Sequence, residues 1–118
     1  MRRFKIRSLS MLAVVAIAAL SLVQVASARS TTVQVSGKEF SFKLSATSLA
    51  RPGTVTFNFR NVGTMAHDFR INGKQTRLIQ PGKTARLTVA FKKKGSYHYI
   101  CAVPGHAALG MKGVLTVR

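Results

Sequence analysis

An all-β fold of short antiparallel strands, arranged as a sandwich or barrel, is predicted by three features of this 118-residue chain. From Thr31 onward, apolar and polar side chains alternate with a period of two. Gly, Pro and Asn turn signals separate the alternating runs. Beyond residue 28 there is no amphipathic helical period, no internal repeat and no low-complexity linker.

The N-terminal segment is of a different kind. Arg2, Arg3, Lys5 and Arg7 precede an unbroken apolar run, Met11 to Leu20, and the segment ends in the small-x-small triplet Ala26-Ser27-Ala28. This is the pattern of an export signal, read here as a signal helix over residues 1–28 with cleavage after Ala28. Its ten-residue apolar run is short for crossing a bilayer, which takes roughly 20 residues. The expected location is the periplasm or the exterior, with membrane association only if the segment stays uncleaved. Residues 29–118 then form one small domain.

Within that domain, Val33 and Val35 open the alternation, and Phe40, Phe42 and Leu44 continue it. Val55, Phe57 and Phe59 form the next run, bounded by Arg51-Pro52-Gly53 and Asn61-Val62-Gly63. Leu87, Val89 and Phe91 follow Pro81-Gly82. Tyr97, Tyr99 and Cys101 make the penultimate run, and Val114 to Val117 the last. Side chains two apart share a strand face, so each run has one face for the core.

The charge is lopsided, with 19 Lys and Arg against two acids and a formal net charge of +17. Setting aside the four basic residues of the leader leaves about +13. Such a field attracts acidic partners. Lys92-Lys93-Lys94 reads as a turn between strands and lacks the interleaved aromatics of single-strand binders. Nucleic acid is therefore not expected as a partner. The two acids, Glu39 and Asp68, offer no carboxylate pair for acid–base catalysis.

One cysteine in an exported domain cannot form an internal disulfide, and a free thiol there must be buried, ligated or reactive. Cys101, His106 and Met111 are spaced five apart in a segment that breaks the alternation, with Pro104-Gly105 and Gly110 marking a loop. Such a loop can turn three side chains toward one point. His67, upstream in Met65-Ala66-His67-Asp68-Phe69, can face it across a sandwich. Two imidazoles, a thiolate and a weak thioether are the donors of blue-copper electron-transfer sites, whereas structural zinc prefers four Cys or His donors. Taken alone, Cys and Met are ordinary core fillers; export and the loop pattern favour ligation. His98, three residues before Cys101, points to the opposite strand face and is read as a non-ligand. Met65 is assigned to rim packing. A thiol nucleophile with His106 as base would leave Met111 unexplained, so an enzyme is not expected.

The run Gly95-Ser96-Tyr97-His98-Tyr99-Ile100-Cys101-Ala102-Val103-Pro104-Gly105-His106, continued by Gly110-Met111-Lys112-Gly113-Val114, resembles the C-terminal signature of the cupredoxins, the small blue copper proteins. The four-residue gaps on either side of His106 are similar to those of the auracyanin, rusticyanin and sulfocyanin kind; plastocyanins have a shorter first gap. Asn61-Val62-Gly63 followed by His67 extends the likeness over the whole of residues 29–118. The resemblance implies an antiparallel Greek-key β-sandwich with one copper ion near one end. It further implies His67, Cys101 and His106 as equatorial ligands and Met111 as the axial one. In relatives the residue after the first histidine is often Asn, which braces the cysteine loop; here it is Asp68. The implied function is one-electron transport by Cu(I)/Cu(II) cycling in a monomer, with copper delivery by the same ligands as the alternative. The implied partner is an acidic redox protein, cytochrome-like or oxidase-like, met transiently at the apolar rim around His106.

Overall fold

The computed structural model describes residues 13–22 and 30–118. Among these residues there is no helix. Of the expected signal helix, Ala13–Leu22 are exposed and without regular structure, and the remainder of that segment lies outside the described residues.

Nine strands follow: β1 (Thr31–Lys38), β2 (Ser41–Leu44), β3 (Ser48–Leu49), β4 (Gly53–Asn61), β5 (Arg70–Ile71), β6 (Lys74–Gln75), β7 (Thr84–Phe91), β8 (Gly95–Ile100) and β9 (Lys112–Val117). They form a four-stranded sheet, β2-β1-β4-β7, and a five-stranded sheet, β3-β9-β8-β5-β6. The predicted β-sandwich is therefore present, and Lys92 to Lys94 do join β7 to β8 as a turn. Two pairings differ from the all-antiparallel expectation: β1 runs parallel to β4, and β3 runs parallel to β9. The chain leaves β1 through β2, crosses to the other sheet as β3, and returns as β4 on the far side of β1. A period of two encodes which face a side chain takes and is blind to strand direction.

The alternation is realised as burial. Val33 and Val35 of β1, Val55, Phe57 and Phe59 of β4, and Val89 and Phe91 of β7 point inward. Tyr99, Leu115, Val117 and Leu49 meet them from the second sheet. In the first sheet Phe57 lies opposite Val33 on one side and Leu87 on the other. Each fully buried phenylalanine contributes about 1.5–3 kcal/mol through apolar area removed from water.

Two aromatic anchors carry the core to the functional end. Phe69, two residues beyond His67, packs its ring on Phe42, Phe57 and Tyr99 at centroid distances of 5.4, 5.2 and 5.6 Å. Tyr99 stands two residues before Cys101, on the same strand face. The segments bearing His67 and Cys101 are thus fastened by rings that touch each other.

Candidate metal centre

The loop from Cys101 to Met111 closes on itself through the main chain. The Cys101 amide donates to the Met111 carbonyl at 3.0 Å, and the Met111 amide donates to the His106 carbonyl at 3.1 Å. Between them the His106, Leu109 and Gly110 amides donate to the Val103, Gly105 and Ala107 carbonyls. Gly110 takes φ 126°, and a β-carbon there would come within 2.8 Å of the Phe40 carbonyl, so only glycine lets the loop lie against the β1–β2 turn.

His67 arrives from the other side. It forms an isolated antiparallel bridge with Ile79, in which each amide donates to the other's carbonyl at 3.1 and 2.7 Å. The segment before it is organised by the fully buried Asn61. That side chain donates to the Met65 and Ile79 carbonyls at 2.7 and 2.8 Å and accepts from the Gly63 amide at 2.9 Å. All three capacities used are met, as a buried amide requires.

The result is a compact, buried set of donors. His67 Nδ1 lies 3.1 Å from His106 Nδ1, and the Cys101 sulfur lies 3.9 Å from the first and 3.7 Å from the second. One donor atom from each of the three residues falls within 4.8 Å of the others, and all three side chains are buried. Met111 is fully buried at the closing end of the loop, its backbone bonded to both Cys101 and His106. His98 is exposed on the opposite strand face, and Met65 is 45% exposed at the rim, where the sequence puts them.

Asp68 supplies the brace. One carboxylate oxygen accepts the Ala102 amide at 2.6 Å, and the other accepts the Gln75 side-chain amide at 2.8 Å. A carboxylate therefore holds the cysteine loop. Burial pushes the Cys101 thiol above its ordinary pKa, and the Asp68 charge adds to this. The Asp68 and Val103 amides pull the other way by hydrogen bonding to the sulfur.

Glu39 is the participant that sequence reasoning passed over. It sits in the turn between β1 and β2, and its Oε1 lies 2.9 Å from His67 Nε2. The same oxygen accepts the Met65 amide at 2.6 Å and the Thr64 amide at 2.9 Å. Burial alone would raise this carboxyl. The hydrogen bonds from Met65, its own amide, His67 and Thr64 outweigh it and hold the pKa at about 2. The available signal was compositional: the chain has only two acids among 19 basic residues, and both lie against the candidate site.

The donor chemistry fits copper. Two imidazole nitrogens and one sulfur face each other in a buried recess, and the buried Met111 is tied to two of these residues, Cys101 and His106, through its backbone. Around the recess Pro104, Ala108 and Leu109 are exposed and apolar, while Phe40 places the edge of its ring against His106 at 5.1 Å.

Comparison with known proteins agrees. Residues 10–117 match the cupredoxin-like domain family. Over 41 residues, 35% of this chain, the sequence is 46% identical to the copper-resistant cuproprotein CopI of Pseudomonas aeruginosa. Over 42 residues it is 43% identical to auracyanin-B of Chloroflexus aurantiacus. These alignments span only 23% and 18% of the two relatives. Among solved structures, the auracyanin of Roseiflexus castenholzii superposes with a TM-score of 0.67 at 22% identity, covering 75% of this chain and 97% of that one. Auracyanin A of Chloroflexus aurantiacus, a blue copper protein, gives 0.64 at 23% identity, over 76% of this chain and all of its own. The copper nitrite reductase of Nitrosomonas europaea gives 0.62 at 18% identity, over 75% of this chain and 41% of its own. These likenesses establish the fold, and with the family match over nearly the whole length they place the chain in the cupredoxin-like domain family.

Proposed function

We propose that this chain is an exported blue copper protein that carries single electrons, with His67, Cys101 and His106 holding the metal and Met111 as its weak axial donor. The observation that carries this reading is the buried convergence of His67 Nδ1, His106 Nδ1 and the Cys101 sulfur. Bound copper would supply a one-electron couple; the chain's own residues determine how readily it is used. Asp68 and the loop's main-chain bonds keep Cys101 from moving, and the aromatic core fixes His67 behind it. Rigid ligands need little rearrangement when the charge changes. Burial of all three donors supports a carrier rather than an enzyme, since it shields the donor atoms from solvent. The apolar rim at Pro104, Ala108 and Leu109 suits a brief encounter, and the excess of Lys and Arg would steer an acidic redox protein toward it. We assign residues 1–28 to the export signal and a monomeric state to the remainder.

Adding Cu(II) to the apo-protein is expected to produce an intense visible thiolate-to-copper charge-transfer band, and Cys101→Ser to abolish it. A folded wild-type protein that stays colourless overturns the assignment. The likeness to a protein named for copper resistance favours copper delivery or sequestration as the second reading. Competition against a strong chelator in both oxidation states separates the two: a carrier of electrons keeps its copper, whereas a carrier of copper releases it in one state.

A further inference from the structure

We infer that Glu39 is a positioning residue for the metal site: its carboxylate fixes the tautomer of His67 and places a negative charge behind that ligand. The inference rests on the copper reading above for its redox consequence, and on geometry alone for the tautomer.

An ionised carboxylate only accepts hydrogen bonds, so a contact of 2.9 Å between Glu39 Oε1 and His67 Nε2 requires the proton on Nε2. In the neutral ring that leaves Nδ1 as the nitrogen able to offer a lone pair, and Nδ1 is the atom facing His106 and Cys101. Without the carboxylate a neutral imidazole can protonate either nitrogen, and the Nδ1–H form is useless as a ligand. Carboxylate–histidine pairs behind metals also raise the basicity of the ring.

The surroundings are built to hold the carboxylate there. Besides His67, its Oε1 takes the Met65 and Thr64 amides. Gly63 completes the cradle, since a β-carbon at that position would fall 2.5 Å from Oε1 and 2.8 Å from Oε2. A side chain at 63 and the carboxylate cannot both be accommodated. In a chain with 19 basic residues and two acids, placing one acid behind His67 concentrates scarce negative charge beside the ligand set. That charge favours the more positive oxidation state of a bound metal.

Two arms test this. In the first, nitrogen-15 NMR of the metal-free protein reads the His67 ring directly. Nε2 is expected to be protonated and protected from exchange in the wild type, and to lose that protection in Glu39→Ala and in Gly63→Ala. An Nδ1–H tautomer in the wild type, or unchanged protection in both variants, overturns the inference whether or not the protein binds copper. In the second, the copper-loaded wild type is compared with Glu39→Gln, whose carbonyl can keep the three contacts of Oε1 while losing the charge. Cu(II) binding is expected to weaken about tenfold relative to Cu(I), which raises the reduction potential by about 59 mV, with the blue band retained. An unchanged potential in a blue Glu39→Gln protein overturns the charge role. A wild type that takes up no copper defeats the functional reading and leaves the tautomer result standing on its own.

Discussion

The buried Asn61 is the point where a single substitution should separate the fold's stability from its general hydrophobicity. Asn61→Ala removes three hydrogen bonds, of 2.7, 2.8 and 2.9 Å, that tie the turn after β4 to the segment bearing His67. At about 1 kcal/mol net for each bond, the loss is about 3 kcal/mol. Ile79 keeps its bond from the His67 amide, and the Met65 carbonyl and Gly63 amide lie close enough to the surface for water to replace part of what is lost. The figure is therefore a sum of net bonds, without a further penalty for orphaned groups. For a domain of this size, 3 kcal/mol corresponds to a fall in Tm of at least about 12 °C. Thermal and urea unfolding of the metal-free protein measure it. Asn61→Asp serves as the companion variant: it still accepts from Gly63 but turns both donated bonds into contacts between oxygens, so it should lose at least as much. A loss below about 1 kcal/mol in Asn61→Ala would refute the reasoning that this side chain organises the His67 segment.

Other outcomes follow from the same geometry. Met111→Leu is expected to keep the blue colour and shift the reduction potential, and an unchanged potential would remove Met111 from the axial role. Copper, by binding the native state alone, should stabilise it by about 2.7 kcal/mol at a hundredfold excess over Kd and so raise the melting temperature; equal melting points with and without copper contradict this. The folded pKa of Glu39 lies at about 2, below its ordinary 4.5, so its contribution to stability is complete above pH 4.5 and lost as the pH falls toward 2. Acid titration of metal-free wild type should show that loss, and Glu39→Gln should be flatter over the same window. Electron transfer to an acidic partner should slow as salt rises through screening, and a flat salt response argues against steering.

Much of this molecule was legible as a string. The period of two in β1, β4 and β7 is a direct record of which side chains face the core, because the pleat turns each sequence step into a change of face. The loop from Cys101 to Met111 could be read because its donors are close in sequence and because the chain holds a single thiol. The strands β3, β5 and β6 escaped notice since two residues hold no period.

What the tertiary structure alone decided are relationships between distant residues. Strand direction in the β1–β4 and β3–β9 pairs comes from the path of the crossovers, which no local pattern carries. Glu39 and His67 are 28 residues apart, and nothing in either neighbourhood announces the other. They meet because β1 and β4 align in register and bring the β1–β2 turn over the Asn61 to His67 segment. Residue chemistry sets what a side chain is able to do, and sequence pattern sets which way it points. The packing of the two sheets sets which partner it finds.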